Sequence, residues 1–264
     1  MAETIAGRNR IVSGSRAVWF KNRTLISTLS VGMFLVAWEA APRLHLVDVS
    51  FTSRPSLVLG ASVEILRSGG FLRDVSVSLT EFALGFSLAL VIGVSGGLLL
   101  GMFPVLRYLI DPPVMAIYAT PELALLPILV VWLGIGMSSK VAIVFIGAVI
   151  PIIINSIVAV RQVDRSLVVA ARSFCAGERE VFTKVILPAS LPALMIGIRF
   201  GWSRAVLAVV VAEMYVSQEG IGNQIMLFGS AFRVAPLLFY VLLVSTFGFA
   251  GTAGLRKLEE WVGY

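Results

Sequence analysis

The sequence predicts an all-α membrane protein with about six transmembrane helices. Hydrophobic residues make up 58% of the 264 residues, charged residues make up only 14%, and the mean hydropathy is +0.95. Soluble domains carry about 25% charged residues. Apolar residues also run continuously, without the alternation of a transmembrane β-strand. Helices buried in lipid are therefore expected.

Six stretches are long and apolar enough to cross a bilayer, which takes about 20 residues in a helix. They are residues 24–42, 75–103, 113–134, 139–160, 189–216 and 235–255. The first lacks a small-x-small cleavage pattern, so we interpret it as a retained helix and not a signal peptide. The predicted organisation is a basic tail (1–23), a first transmembrane helix with an outer segment (24–74) and a helical core (75–260).

The positions of the positive charges predict the orientation. If the N-terminus is cytoplasmic, thirteen of the 21 Lys and Arg residues lie in cytoplasmic segments, six lie outside, and Arg199 and Arg204 lie within the fifth span. Cytoplasmic loops of membrane proteins carry such an excess. Both termini are therefore expected in the cytoplasm. The net charge of +6 is attributed to topology and contact with anionic lipid, and not to nucleic acid.

Proline and glycine predict the breaks between and within these helices. Residues 53–56 are expected to turn before a short helix over 57–67, which Gly69 and Gly70 end. The run Asp111-Pro-Pro113 is expected to start the third helix, because proline suits a first turn. Pro121 and Pro127 are expected to break that helix near mid-membrane around Glu122.

Glycine also predicts close packing of the second helix. Five glycines, at 85, 93, 96, 97 and 101, are expected to form a small-residue surface against a neighbouring helix. Pro151 is expected to weaken the fourth span, and the run Gly134-Ile-Gly136 to turn the chain before it.

Several function classes are excluded by what the sequence lacks. His45 and Cys175 are the only residues of their kinds, so a metal site of several Cys and His ligands cannot form within one chain, and a Cys–His dyad is not expected because the two residues are predicted on opposite sides of the membrane. No phosphate-binding G-x-x-x-x-G-K-[ST] loop is present, so ATP is not bound by that device. The run Gly201-Trp-Ser203 resembles part of a nucleophile turn, but His45 lies outside the predicted spans and Lys140 lies at the outer edge of the fourth span, so no base is expected beside the serine.

One charged amphipathic segment interrupts the apolar pattern between the fourth and fifth spans. Apolar residues recur there at helical spacing from Leu167 to Val185, with Arg172, Arg179 and Lys184 on the other side. Such a helix either lies on the lipid surface or enters a groove on a partner protein. The spacing alone leaves both interpretations open.

The same segment resembles a known family. The runs Val169-Ala-Ala-Arg-Ser-Phe-Cys-Ala-Gly177 and Val185-Ile-Leu-Pro188 are similar to the E-A-A-x-x-x-G…I-x-L-P loop of the membrane subunits of binding-protein-dependent ABC importers. Further similarity to the sulfonate, nitrate and taurine branch is carried by Ser78–Phe86, Leu125–Gly136, Val209–Met214 and Gly220–Gly222. The resemblance covers about residues 50–260.

The resemblance implies a type I importer permease fold, with a loop at about 161–190 that docks into an ATPase subunit. The implied coupling residues are Val169, Ala170, Ala171, Arg172, Phe174, Cys175, Gly177, Leu187 and Pro188. It also implies two ATP-binding subunits, which hold the ATP and Mg, a second permease subunit (a homodimer is favoured), a periplasmic solute-binding protein and a location in the bacterial inner membrane. No cofactor is expected in this chain, which is not expected to be an enzyme.

Two positions depart from the family loop. Val169 stands where the family usually has glutamate, and Cys175 where it usually has glycine. Gly177 is expected to supply the flexible turn in place of Cys175. A non-identical sister subunit with a better-matched loop is the alternative to simple divergence.

Polar residues within the spans are candidates for the solute pathway, because burying a charge in hydrocarbon is costly. The candidates are Glu122, Asn155 and Glu213. Glu122 either lines the pathway or is a buried acid that is protonated or paired in the bundle. If it is ionised in the pathway, it favours neutral or nitrogenous solutes over small anions. A secondary transporter and a non-transporting scaffold remain alternative functions.

Overall fold

The protein is a bundle of helices. Its computed structural model describes residues 25–262, and in that range the chain forms no β-strand. Five helices are long and apolar enough to cross a membrane, and one bent helix pair provides a sixth crossing if it counts as a single span. The predicted all-α class with about six spans is confirmed. The predicted tail over residues 1–23 lies outside the described residues.

The helices follow one another through short connections. A 3-10 turn (Glu122–Leu125) precedes α6, and a π-helical turn (Phe182–Ile186) joins α9 to α10. The helices in chain order are α1 (Leu25–Arg43), α2 (Val49–Thr52), α3 (Pro55–Arg67), α4 (Phe71–Met102), α5 (Pro104–Ala119), α6 (Leu126–Leu133), α7 (Met137–Arg161), α8 (Arg165–Ser173), α9 (Glu178–Val181), α10 (Leu187–Val216), α11 (Ile221–Ser230) and α12 (Val234–Val262).

The predicted third span differs most from the structure. Its helix, α5, begins at Pro104 and not at Pro113, so Pro112 and Pro113 lie inside a helix that they were expected to start. Proline at the first helical position is favoured, and Pro104 also satisfies this rule. The expected break is confirmed: α5 ends at Ala119, and the segment Glu122–Leu133 continues at an angle of 92°.

Helices α4 and α7 pack along a seam of glycine, as predicted. A Cβ atom added to Gly85, Gly93 or Gly101 would lie 2.6–2.7 Å from side-chain carbons of α7, and Gly97 lies directly against Ser156. Small residues let helix backbones approach closely where lipid supplies no hydrophobic driving force. Gly96 has open space beside it, so its predicted place in the seam is wrong.

The core of the bundle is centred on α7 and α10. Both helices contribute side chains with no exposed surface, such as Ile143, Ile152 and Ala208. Aromatic rings from α4, α10 and α12 pack beside them, with Trp202 in edge-on contact with Phe82 at 4.7 Å. Helices α4, α7 and α12 begin at the same end of the bundle as α11, which we call the α11 end. The opposite end is the α8 end.

Polar contacts connect α1 to α2 and α3 at the α11 end. The Trp38 indole donates a hydrogen bond to the Thr52 carbonyl, and the Glu39 carboxylate accepts from the backbone N–H and the hydroxyl of Ser56 at 3.0 and 2.8 Å. The short helix predicted over 57–67 is confirmed as α3, which starts two residues earlier. Gly69 follows it with a φ of 76°.

Candidate functional site

A cavity of about 300 Å³ opens at the break between α5 and the 3-10 turn. The break follows from Pro121, which has no N–H group to continue the helix. The cavity is lined mainly by apolar residues of α5, α7 and α10, with Ile146 and Leu207 as examples. Two charged side chains, Glu122 and Arg204, also line it. A largely apolar pocket with a few polar groups is the usual form of a small-molecule site.

Glu122, a predicted pathway residue, lies at the start of the 3-10 turn and in the wall of this cavity. Its carboxylate packs against Gly147, where an added Cβ would be 3.2 Å from Glu122 Oε2. Gly147 is ten residues from the start of α7, about 15 Å along the helix axis. The glycine makes room for a carboxylate in the middle of the bundle.

Arg204 faces Glu122 across the cavity. The Nη1 atom of Arg204 lies 3.6 Å from Oε1 of Glu122. The sequence indicates that Arg204 needs a partner but does not identify it, because the two residues are far apart along the chain. The Glu122 side chain is 19% exposed and that of Arg204 is 53% exposed. The pair is therefore open to whatever fills the cavity.

The other two predicted pathway residues lie elsewhere. Asn155 is half-buried, donates a hydrogen bond to the Pro151 carbonyl of its own helix at 2.8 Å, and packs against Gly197 of α10. Glu213 is fully buried near the α11 end. Neither residue lines the cavity at the break, so the structure does not bring the three candidates together.

Glu213 belongs to a closed polar cluster that joins α4, α7, α10 and α11. Its carboxylate accepts hydrogen bonds from the Ser78 hydroxyl at 2.6 Å and the Gly222 N–H at 2.7 Å. Lys140 forms an ion pair with the neighbouring Glu81 and donates to the Ser217 hydroxyl. Nothing in the sequence pattern shows that these residues meet.

The same cluster fixes the start of α11. Asp74 of α4 accepts hydrogen bonds from the Gly220 N–H at 2.9 Å and the Gln224 amide at 3.0 Å. Gly220 has a φ of 106°, a conformation that residues with side chains rarely adopt. The run Gly220-Ile-Gly222 therefore has a structural explanation.

Within residues 25–262, no group of three His, Cys, Asp or Glu side chains converges as a metal ion would need.

The predicted coupling segment lies at the α8 end, apart from the cavity. Its first helix, α8, is capped by Asp164, whose carboxylate accepts a hydrogen bond from the Ser166 N–H at 2.8 Å. This hydrogen bond lowers the pKa of Asp164 below its ordinary value. The amphipathic segment is not one continuous helix, because it breaks after Ser173 and resumes at Glu178. Val181 is buried and anchors the second part to the bundle.

Cys175 explains the break. It has a φ of 60°, and its N–H donates to the Arg172 carbonyl at 2.9 Å, so it occupies the left-handed position that follows a helix end. Glycine is the usual residue there. Gly177 has an ordinary φ of −70° and instead precedes α9. The expectation that Gly177 replaces the missing glycine is therefore wrong, since Cys175 itself adopts the strained conformation.

The apolar side of α8 is largely uncovered. The Phe174 side chain is 88% exposed and Leu167 is 49% exposed, while Ala170 is exposed and Ala171 is half-buried. Val169, on the other side of the helix, is 63% exposed. Arg172 forms an ion pair with Glu178 across the turn at 2.8 Å. Leu187 and Pro188 begin α10 directly after the π-helical turn. The predicted coupling residues thus surround one turn at the end of the bundle.

A bundle of membrane-spanning helices, with a cavity at a broken span and an amphipathic segment at one end, is the architecture of a multi-pass membrane protein. The family model for the binding-protein-dependent transport system inner membrane component matches residues 89–264. The chain belongs to this family. The predicted family is confirmed, and the protein is a permease subunit of an ATP-driven importer.

Individual relatives agree with this assignment. The chain is 28% identical over 241 residues to the taurine transport system permease protein TauC of Escherichia coli strain K12, with 88% of each chain covered. It is 30% identical to the aliphatic sulfonates transport permease protein SsuC of Bacillus subtilis strain 168, covering 79% of this chain and 74% of that one.

A solved structure agrees on the fold. An inward-facing conformation of the MetNI methionine ABC transporter has a TM-score of 0.64 at 19% identity, covering 74% of this chain and 97% of that chain. The predicted type I importer permease fold is confirmed.

Proposed function

We propose that this chain forms the solute pathway of an importer in the bacterial inner membrane and couples it to ATPase subunits through residues 169–188. The observation that carries the coupling is the exposed apolar surface of α8, with Phe174 at its end. Apolar side chains outside the spans lose contact with water when they enter a groove on a partner protein. Lipid is the competing environment for the same surface.

The proposed orientation places the α8 end and both termini in the cytoplasm. The excess of Lys and Arg in the segments at that end supports it. The α11 end then faces the periplasm, where a solute-binding protein delivers the solute. ATP and Mg are bound and hydrolysed in two separate ATPase subunits, and this chain contributes no catalytic residue.

A second copy of the same chain is the proposed partner within the membrane. A shallow groove of about 590 Å³ supports this proposal, since it is lined almost entirely by apolar residues of α6 and the last turns of α10, including Val130, Val211 and Tyr215. The half of the span after the break therefore presents a surface that another helix fills. A non-identical sister subunit is the alternative, and mass analysis of the complex distinguishes the two.

The coupling proposal is tested by Ala171→Glu, which places a charge in the middle of the exposed apolar side of α8. Co-expressed ATPase subunits should no longer co-purify, while the variant still inserts and unfolds like the wild type. Ser173→Glu is the matched control, because it lies about 200° around the same helix and should keep the complex.

Complex formation by the Ala171→Glu variant at wild-type level would reject coupling through this surface. If instead the wild type fails to bind any ATPase and its α8 segment binds anionic vesicles, the lipid interpretation is correct.

A further inference from the structure

The cavity at the broken span contains an ion pair that is poorly suited to a purely structural role. The 3.6 Å contact between Arg204 and Glu122 is the one polar contact that these two side chains make within residues 25–262. A strong guanidinium–carboxylate pair has two parallel hydrogen bonds of about 2.7–2.9 Å. Here most donors of Arg204 and most lone pairs of Glu122 are unused.

The cavity wall around the Arg204 and Glu122 side chains is mostly apolar, which strengthens any polar contact that they make. The rest of the cavity wall is largely apolar, with Ile117, Ile146 and Ile150 among its residues. In such an environment the attraction between two opposite charges is stronger than it is in water. A volume of about 300 Å³ lies at the lower end of the range for ligand pockets, so a bound molecule must be small.

Two opposite charges in one small cavity select among solutes. A small anion is attracted by Arg204 but repelled by Glu122, and the reverse holds for a small cation. A molecule with both charges satisfies both side chains and leaves the site neutral.

We propose that Arg204 and Glu122 form a subsite for a small zwitterion during its passage through the importer. The Arg204 guanidinium donates hydrogen bonds to the oxyanion of the solute, a sulfonate or carboxylate, and the Glu122 carboxylate accepts from its ammonium group. The proposal rests on the proposed function, because it places the subsite in the solute pathway. It names the class of solute that the pathway favours and the residue that recognises each end.

The test is equilibrium binding to the full chain reconstituted in nanodiscs, using two matched pairs of probes. The pairs are 2-aminoethanesulfonate with 2-hydroxyethanesulfonate, and 3-aminopropanoate with 3-hydroxypropanoate, so that each differs only in the ammonium group. At least one zwitterion should bind about tenfold or more tightly than its hydroxyl analogue, because a charge-assisted hydrogen bond to the carboxylate is about twice as strong as a neutral one. Equal binding within both pairs, or no binding of either zwitterion, overturns the proposal.

Variants assign the two ends of the solute. Glu122→Gln should remove the advantage of the zwitterion and leave binding of the hydroxyl analogue unchanged or tighter, whereas Arg204→Gln should weaken both. Glu122→Asp, which keeps the charge, should retain part of the advantage. Glu260→Gln is the matched control, since Glu260 also lies 3.6 Å from its arginine partner but on the exposed end of α12.

The outcomes separate this proposal from the proposed function. If a folded Glu122→Gln variant keeps the wild-type ratio of zwitterion affinity to hydroxyl-analogue affinity, the subsite proposal is rejected. This holds even if ATPase subunits still co-purify with the same sample. If the wild type does not bind ATPase subunits, the coupling role is rejected, whichever solutes the chain binds.

Discussion

Two ion pairs between different parts of the bundle have opposite environments. Lys140 and Glu81 are enclosed, with side chains 7% and 1% exposed, whereas Arg204 and Glu122 are 53% and 19% exposed in an open cavity. Both pairs join different helices of the same bundle. Burial therefore separates a pair that is enclosed between helices from a pair that is open to the cavity.

The neighbours of each pair support this distinction. Lys140 also donates to Ser217, and the adjacent Glu213 accepts from Ser78 and Gly222, so the enclosed cluster connects α4, α7, α10 and α11. A buried polar network of this kind stabilises a fold only when its members are satisfied. The open pair has no such network, which leaves its hydrogen-bonding groups free for another molecule.

The largest decrease in the free energy of unfolding is expected from Lys140→Met, which leaves the Glu81 carboxylate buried without its partner. Breaking a buried ion pair by removing one member costs about 3–5 kcal/mol. The free energy of unfolding, measured by titration with SDS, should fall by that amount. The double variant Lys140→Met with Glu81→Leu should recover most of the loss, because an apolar pair of similar volume replaces the charges.

A single Lys140→Met variant as stable as the wild type would contradict the structural role of the enclosed pair. Lys257→Met is a control for the loss of a positive charge, since Lys257 is exposed near the end of α12.

A smaller effect is expected from Glu213→Gln in the same cluster. The amide can still accept one hydrogen bond, but its NH₂ group then faces either the Ser78 hydroxyl or the Gly222 N–H. An unsatisfied buried donor costs about 1–3 kcal/mol, partly offset by removing a charge next to Glu81. The same SDS titration should show a loss smaller than that of Lys140→Met. Transport that fails while stability is unchanged would instead support a pathway role for Glu213.

The sequence predicts the features that depend on local residue patterns. Continuous apolar runs located the spans, since a helix in lipid satisfies its own backbone groups. The glycines of α4 predicted a closely packed face but not its partner helix, and Pro121 and Pro127 predicted the broken span. In contrast, the start of α5 was placed wrongly, because Pro104 and Pro113 both suit a first helical turn and only packing decides between them.

Contacts between distant residues could not be predicted from the pattern. Arg204 and Glu122 are 82 positions apart, and nothing in a single sequence pairs them. The residue that ends the first helix of the coupling segment could not be predicted for a different reason. A glycine at position 175 would have marked a helix end, whereas Cys175 adopts the left-handed conformation at a cost of about 1–2 kcal/mol.

The smallest effect on stability is expected from Glu122→Gln, and this result tests the comparison most directly. Exposed ion pairs contribute about 0–1 kcal/mol, and the long contact with Arg204 lies in an open cavity. The free energy of unfolding should therefore change by less than about 1 kcal/mol, although solute recognition changes. A loss as large as that of Lys140→Met would show that the open pair also holds helices together, and the distinction between the two ion pairs would no longer hold.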